Sequence, residues 1–225
     1  MSSIVVAGDV SGAITIAAPA VAGSGTLTLP VATDTLVGKA TTDTLTNKSI
    51  AATQLTGTIA AARLPAGSVL QVVSTAKTDT FSLAATTTFT DVTGLTVTTA
   101  ALRSTASRVF ISVALGRVSH SAAGTYSIAF RLMRGATVIA VADAAGSRPR
   151  ASFATTSATD TNHSLGASFS WVDSPSSTSA ETYKLQMTVQ AAGTGYINRT
   201  GGDSDGAEVY QSRAASSITV MEIQG

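Results

Sequence analysis

The segment Gly202-Asp203-Ser204-Asp205-Gly206 matches the G-x-S-x-G pattern that surrounds the serine nucleophile of many hydrolases. In those enzymes the serine lies on a sharp turn from a strand to a helix, and the catalytic acid and histidine follow it in the chain. Here the two histidines, His120 and His163, both precede Ser204, and no helical pattern follows it. The sequence therefore predicts an acidic glycine-rich loop between strands, with no catalytic site and no enzymatic activity.

The acidic residues suggest little further chemistry. Glycoside cleavage needs two carboxyl groups that converge across one bond, whereas Glu181, Glu208 and Glu222 are scattered along the chain. Asp203 and Asp205 could offer oxygen ligands to a hard cation such as calcium, but two carboxylates leave its coordination shell incomplete. They are weak candidates for a metal site. The chain has no cysteine, which excludes thiolate zinc sites, and we expect no cofactor.

Charged residues make up 12% of the 225 residues, against about 25% in an average soluble domain. The net charge is +1, with no cluster of basic residues, so we expect no nucleic-acid partner. No run reaches the roughly 18 apolar residues of a membrane span, so we expect no membrane insertion. The mean hydropathy of +0.30 argues against disorder, and the weakly charged surface predicts extensive contact with other chains.

The first 37 residues contain two short runs of alternating apolar and polar residues, Ala13–Ile16 and Thr26–Leu29, separated by a turn-rich segment. Period-2 alternation of this kind predicts a hairpin or two short paired strands. Its apolar side chains would be Ile14, Ile16, Leu27 and Leu29. An isolated two-stranded unit is marginal in water, so residues 1–37 are predicted to form an arm that packs against a partner.

Residues 38–68 have sparse apolar side chains at intervals of four to five, which fits neither a helix nor a strand. They are Leu45, Ile50, Leu55, Ile59 and Leu64. Three copies wound around one axis would bury one apolar residue at each level, whereas a disordered linker would leave them in solvent. We favour an intertwined stem, and the linker remains the alternative.

In residues 69–225, apolar residues recur at every second position in many short segments. For example, one face of a predicted strand contains Val109, Ile111, Val113 and Leu115. About ten short strands with Gly, Asn, Asp, Pro and Ser between them predict an all-β antiparallel sandwich or jelly roll. The predicted strands are Val69–Ser74, Ala84–Asp91, Leu95–Thr99, Arg108–Val118, Tyr126–Arg134, Thr137–Ala142, Leu165–Val172, Thr182–Gln190, Gly195–Asn198 and Ser217–Ile223.

The last predicted strand is apolar on both faces, with Ile218 and Val220 on one side and Met221 and Ile223 on the other. A strand that is apolar on both faces is buried on both. Since a monomeric sandwich encloses one face only, the second is predicted to contact a neighbouring subunit. These four residues, with the apolar residues of the stem, are the candidates for a trimer interface.

Several segments of the chain resemble bacteriophage fibre and appendage proteins. The segments similar to them are Gly12–Ile16, Gly25–Pro30, Thr44–Ile50, Val69–Val73, Phe89–Val97, Tyr196–Arg199 and Ser217–Ile223. The resemblance implies a homotrimer with a virion-anchoring arm (1–37), a short interwoven stem (38–68) and a TNF/C1q-like jelly-roll head (69–225).

The resemblance also implies a tail or collar fibre, made in the bacterial cytoplasm and carried on the virion, that recognises the host surface. The arm would dock on another virion protein, and the head would bind a host glycan or protein. Candidate receptor contacts are Tyr196, Tyr210, Arg148 and Arg150, while Trp171 is assigned to the core in preference to the surface. A capsid-attached head fibre or decoration protein and a polysaccharide-degrading tailspike remain alternatives.

Overall fold

The computed structural model describes residues 3–7, 11–17, 21, 24, 48–54, 56, 57, 59–124, 126–156 and 160–225. The chain divides into two compact units, Met1–Thr56 and Gly57–Gly225. In the first unit, β1 (Ser3–Ala7) pairs antiparallel with β2 (Ala13–Ala17). The second strand was predicted, but its partner β1 was not, and residues 26–29 lie outside the described residues. A 3-10 turn covers Ala52–Gln54.

The second unit is an all-β antiparallel sandwich, as predicted. Short 3-10 turns at Ala61–Arg63 and Val209–Gln211 accompany the strands. The strands are β3 (Val69–Lys77), β4 (Phe81–Thr98), β5 (Arg108–His120), β6 (Ser127–Arg134), β7 (Thr137–Ile139), β8 (Phe153–Thr156), β9 (Leu165–Asp173), β10 (Thr182–Ile197) and β11 (Ser216–Ile223).

These nine strands form one hydrogen-bonded network with two halves. The first half has the order β3-β11-β5-β9, and in the second half β10 lies between β4 and β6, with β7 and β8 both paired to β6. The halves join where β5 and β10 pair from Gly195 opposite His120 to Ile197 opposite Val118. Strand alternation therefore places one face of each half against the other and leaves two outer faces.

The core lies between the halves and contains the predicted alternating side chains. Val109, Ile111 and Val113 of β5 are fully buried, as are Phe130 of β6 and Leu185 of β10. Aliphatic and aromatic side chains at every second position bury one face of each strand, and this burial is the main source of stability.

The strand boundaries differ from the prediction where glycine or irregular backbone lies within a strand. Segments 84–91 and 95–99 are one strand, β4, with Gly94 at a φ of 84°. Segments 182–190 and 195–198 are likewise one strand, β10, with register shifts along its pairing to β4. Strand β7 ends at Ile139 because Ala140 has a positive φ of 54°, and β8 was not predicted.

Candidate functional site

The sandwich has two ends, and the segment that precedes β3 joins it at one of them. Ahead of β3, the backbone N–H of Gly67 donates to the carbonyl of Gln224 at 2.8 Å, and Gln224 donates to the carbonyl of Ser68 at 2.8 Å. Strand β11 runs from Ser216 to Ile223, a length of roughly 25 Å at about 3.3 Å per residue. The connection 198–215, the longest between strands of this unit, therefore lies at the opposite end, which we call the distal end.

The base of the distal connection is held by Asn198, which is fully buried and has a left-handed φ of 66°. Asparagine adopts this conformation more readily than other non-glycine residues. Its Nδ2 donates to the carbonyls of Lys77 and Asp79 at 2.9 Å each, and its Oδ1 accepts a 2.6 Å hydrogen bond from Ser216. The connection thus begins from a fixed position beside the β3–β4 turn.

The tip of the distal connection is held by the guanidinium of Arg117, on β5. Nη1 donates to the carbonyl of Tyr210 at 3.1 Å and to Ser164 Oγ at 2.8 Å. Nη2 donates to the carbonyl of Val209 at 3.4 Å and to Ser212 Oγ at 2.8 Å. The side chains of the same turn point outward, with Val209 85% and Tyr210 44% exposed. The hydrogen bonds of Arg117 therefore hold a turn that presents an apolar and an aromatic side chain to solvent.

Asp203 is surrounded by cations. Its carboxylate is 2.7 Å from Nη2 of Arg213 and 3.4 Å from Nη1 of Arg199, and its N–H donates to Thr200 Oγ1 at 3.2 Å. Asp205 is exposed. A carboxylate already neutralised by two guanidinium groups is a poor ligand for a metal ion, and the described residues contain no group of three or more acidic or histidine side chains placed to hold one.

A shallow cleft of about 280 Å³ lies beside this ion pair. It is lined by Asp203, Ser204, Asp205, Gly206, Gln211 and Arg213. After Gly206 the chain forms only the 3-10 turn before β11. The strand–turn–helix setting that a G-x-S-x-G nucleophile needs is therefore not formed.

The candidate receptor contacts do not form one cluster. Tyr196 lies at the distal end of β10, half-buried, with the guanidinium of Arg199 4.2 Å from its ring centroid. Arg148 and Arg150 lie instead on the connection between β7 and β8, beside β6, and both are exposed. Their guanidinium groups donate to carbonyls of that same connection. Of these four candidates, Tyr196 and Tyr210 lie at the distal end.

The two histidines differ in environment. His163 is exposed, 3.8 Å from Asp160. His120 is buried, with its ring stacked 4.2 Å from that of Tyr126 and its Nδ1 accepting a hydrogen bond from the N–H of Ala122. His120 is buried because β5 continues through residue 120, which places it in the strand and not in the turn that follows.

The candidate interface residues of the last strand divide between its two faces. Ile218 and Val220 are 0% and 1% exposed within the protomer, so their assignment to an interface between chains is wrong. Met221 and Ile223 lie on the outer face and are half-buried. Of the stem candidates, Ile50 and Ile59 are exposed and Leu64 is half-buried, while Leu45 and Leu55 lie outside the described residues.

Two of the four virion-anchor candidates of residues 1–37 belong to the described part of the chain. Ile16 lies opposite Ile4 and Ile14 opposite Val6 in the β1–β2 pair, and Leu27 and Leu29 lie outside the described residues. On this pair Val5 and Val6 are 60% and 55% exposed. No helix among the described residues is long and apolar enough to cross a membrane.

No protein-family model matches the chain. No curated protein matches it significantly. Among solved structures, a subviral particle of infectious bursal disease virus VP2 aligns with a TM-score of 0.34 at 15% identity, over 68% of this chain and 41% of that one. The Gx strain of the same virus aligns with a TM-score of 0.33 at 15% identity and the same coverage. The chain thus spans less than half of these proteins, and likeness this weak gives no argument about function.

Proposed function

We propose that this chain is a structural protein of a phage particle, a homotrimeric fibre whose sandwich is displayed for recognition of the host surface. The observation that supports the proposal most is that the two ends of the sandwich differ. The preceding segment joins it at one end through Gly67 and Gln224. The turn that exposes Val209 and Tyr210 lies at the other. A module attached at one end and presenting a fixed exposed surface at the other is suited to display.

The distal turn has the properties of a contact surface. Three hydrogen bonds from Arg117 hold the turn and a fourth joins the guanidinium to Ser164; a surface ordered before binding loses less entropy when a partner binds. Tyrosine offers a large amphipathic contact area with few rotatable bonds. The polar cleft beside it could hydrogen-bond sugar hydroxyls, and three copies would add avidity to a weak single site.

In this proposal the first unit attaches the fibre to another virion protein. The β1–β2 pair is two-stranded and exposes Val5 and Val6. A two-stranded unit gains stability from a further packing partner, and exposed valines provide an apolar surface for one. The support for a virion location is this feature together with the resemblance of the chain to phage appendage proteins.

Competition for adsorption tests the proposal. Host cells are incubated with the purified protein and then challenged with the phage that encodes it. We expect free phage to remain in the supernatant in proportion to the added protein. A Val209→Asp/Tyr210→Ala variant should compete at least tenfold less well, whereas Arg148→Ala/Arg150→Ala should compete like the wild type. Normal adsorption at saturating protein would overturn the proposal, and selective loss in the arginine variant would overturn the distal location.

A further inference from the structure

An apolar row crosses the outer face of the first half of the sandwich. In the strand register Val72 of β3 lies opposite Met221 of β11, Met221 lies opposite Phe110 of β5, and Phe110 lies opposite Val172 of β9. Paired residues point to the same side of a sheet. Because Val220 and Ile111, their neighbours in sequence, face the core, these four side chains face outward in one continuous row.

The adjoining rows on this face contain small, uncharged side chains. The next row is Ser74, Thr219, Ser112 and Ser170, and the one after it is Ala76, Ser217, Ala114 and Ser168. On the other side of the apolar row, Ile223 lies opposite Val69 and Arg108. Arg108, at the start of β5, is thus the one charged residue in these rows. We call this surface, formed by β3, β11, β5 and β9, the uncharged face.

The opposite outer face, on β4, β10 and β6, shows how this chain builds a face that contacts water. Lys184 Nζ is 2.6 Å and Gln186 Nε2 2.7 Å from the carboxylate of Asp91. The hydrogen bond from Lys184, then that from Gln186, keeps the pKa of Asp91 below its ordinary value. The guanidinium of Arg131 covers the ring of Phe89 at 3.8 Å. The two outer faces of one domain therefore differ in charge, and only one is equipped for solvent.

The apolar character of the uncharged face continues past the start of β3. Val69, which is 53% exposed, and Leu70 line a groove of about 510 Å³ together with Ile59, Leu64, three alanines (60–62) and one charged residue, Arg103. Ile59 is itself 51% exposed. The apolar strip thus extends from the sheet into the segment that precedes it, and exposed contiguous apolar area of this kind is characteristic of interaction sites.

We propose that the uncharged face is the surface through which copies of this chain contact one another. Four strands about 4.8 Å apart and eight residues long cover roughly 500 Å² on each copy. Two such faces therefore bury roughly 1,000 Å², the lower range of specific interfaces. Apart from Arg108 at its margin, the described rows of this face contain no charge, so the face loses little hydration energy when it meets an identical surface. The small side chains let a second backbone approach closely. The copy number of three rests on the proposed function.

Charge substitution on exposed positions tests this interface without disturbing the core. Val72 and Val172 are 55% and 46% exposed, so aspartate at either position stays in water in the isolated protomer. We expect a Val72→Asp/Val172→Asp variant to raise the midpoint concentration for dissociation at least tenfold in analytical ultracentrifugation. Its far-UV circular dichroism should match the wild type. The matched control is Thr96→Asp, on an exposed position of the opposite face, which should associate like the wild type.

The outcomes separate this inference from the proposed function. Unchanged association of the double variant, a monomeric wild type at micromolar concentration, or equal loss in Thr96→Asp would overturn the interface. If the double variant remains a trimer while the wild type blocks phage adsorption, the interface is wrong and the function stands. If the variant dissociates as expected but the wild type does not block adsorption, the interface stands and the function is wrong.

Discussion

The hydroxyl of Ser107 donates a 2.7 Å hydrogen bond to the carboxylate of Glu222, and both residues are buried. The same carboxylate oxygen accepts a 2.6 Å hydrogen bond from the backbone N–H of Arg103, and the second oxygen accepts one of 2.6 Å from Gln71 Nε2. A fully buried carboxylate is thus satisfied by three neutral donors. It ties the connection 99–107 and strand β3 to the last strand.

Replacement of Glu222 by glutamine is expected to lower the free energy of unfolding by about 1–3 kcal/mol. The glutamine side chain would place its NH₂ group where one carboxylate oxygen of Glu222 accepts. The donors that bond to that oxygen would then be left unpaired. Urea denaturation followed by circular dichroism measures the change. The control is Glu208→Gln, since Glu208 is exposed and makes no side-chain capping bond; its effect should stay within about 0.5 kcal/mol. Equal unfolding midpoints for both variants would contradict a structural role for the Glu222 carboxylate.

Alternation along the last strand shows what the sequence can reveal. It assigns Glu222 to the same face as Ile218 and Val220, and the structure confirms that face as the buried one. The donors to the carboxylate could not be predicted, because they come from segments 115 to 151 positions away in the chain. The alternation also cannot distinguish burial in the protomer from burial between protomers. For this reason the alternation offers Ile218 and Val220 as interface candidates, although they are buried within the protomer.

The candidate site was less predictable than the core. The pattern around Trp171 favours burial, yet the residue is 44% exposed, because β9 lies at an edge of its half of the sandwich. Tyr210 could be singled out as an exposed aromatic near a glycine-rich loop. Its support by Arg117 could not, since the guanidinium joins residues 164, 209, 210 and 212. Contacts between distant chain positions leave no periodic signal.

Tyr183 makes stability depend on pH in the alkaline range. Its hydroxyl donates to Asp173 Oδ2 at 2.9 Å, beside Arg134 Nη1 at 2.7 Å from the same oxygen. Burial, then the charge of Asp173 and the hydrogen bond to it, raises the pKa of Tyr183 well above its ordinary value. The folded state therefore keeps a proton that the unfolded chain releases above about pH 10. This contribution is complete below that pH and decreases as the pH rises.

Tyr183→Phe is accordingly expected to be less stable than the wild type at pH 8, by about 1 kcal/mol for the lost hydrogen bond. Above about pH 10 the wild type should lose stability faster than the variant, by up to about 1.4 kcal/mol per pH unit, so that the difference between them closes. Urea titrations from pH 8 to 11 measure this. A constant difference across the range would show that the Tyr183 hydroxyl ionises alike in both states.

Two glycines near the distal end, Gly201 and Gly166, differ in how closely the backbone of β5 approaches them. A Cβ on Gly201 would lie 2.1 Å from the carbonyl oxygen of His120, whereas one on Gly166 would lie 3.4 Å from the carbonyl oxygen of Leu115. The first position requires the backbone to move, and the second is ordinary contact. We expect Gly201→Ala to lower the thermal unfolding midpoint by several degrees, in line with a cost of roughly 1–3 kcal/mol. Gly166→Ala should change it little, and equal midpoints would contradict the close approach.

Arg117→Ala isolates the role of the anchor under the distal turn. The variant loses three hydrogen bonds to the turn containing Val209 and Tyr210 and one to Ser164, while the core side chains of β5 stay in place. Because loops with few remaining contacts open locally at low cost, amide exchange at residues 208–213 should accelerate at least tenfold, with little change elsewhere.

Competition of the Arg117→Ala variant for phage adsorption should fall as well, since an unordered turn must be ordered on binding. The control is Arg148→Ala, whose guanidinium donates to the carbonyl of Ala145 in its own connection. Accelerated exchange without loss of competition would mean that the distal turn is not the contact surface, and unchanged exchange would mean that Arg117 does not hold it.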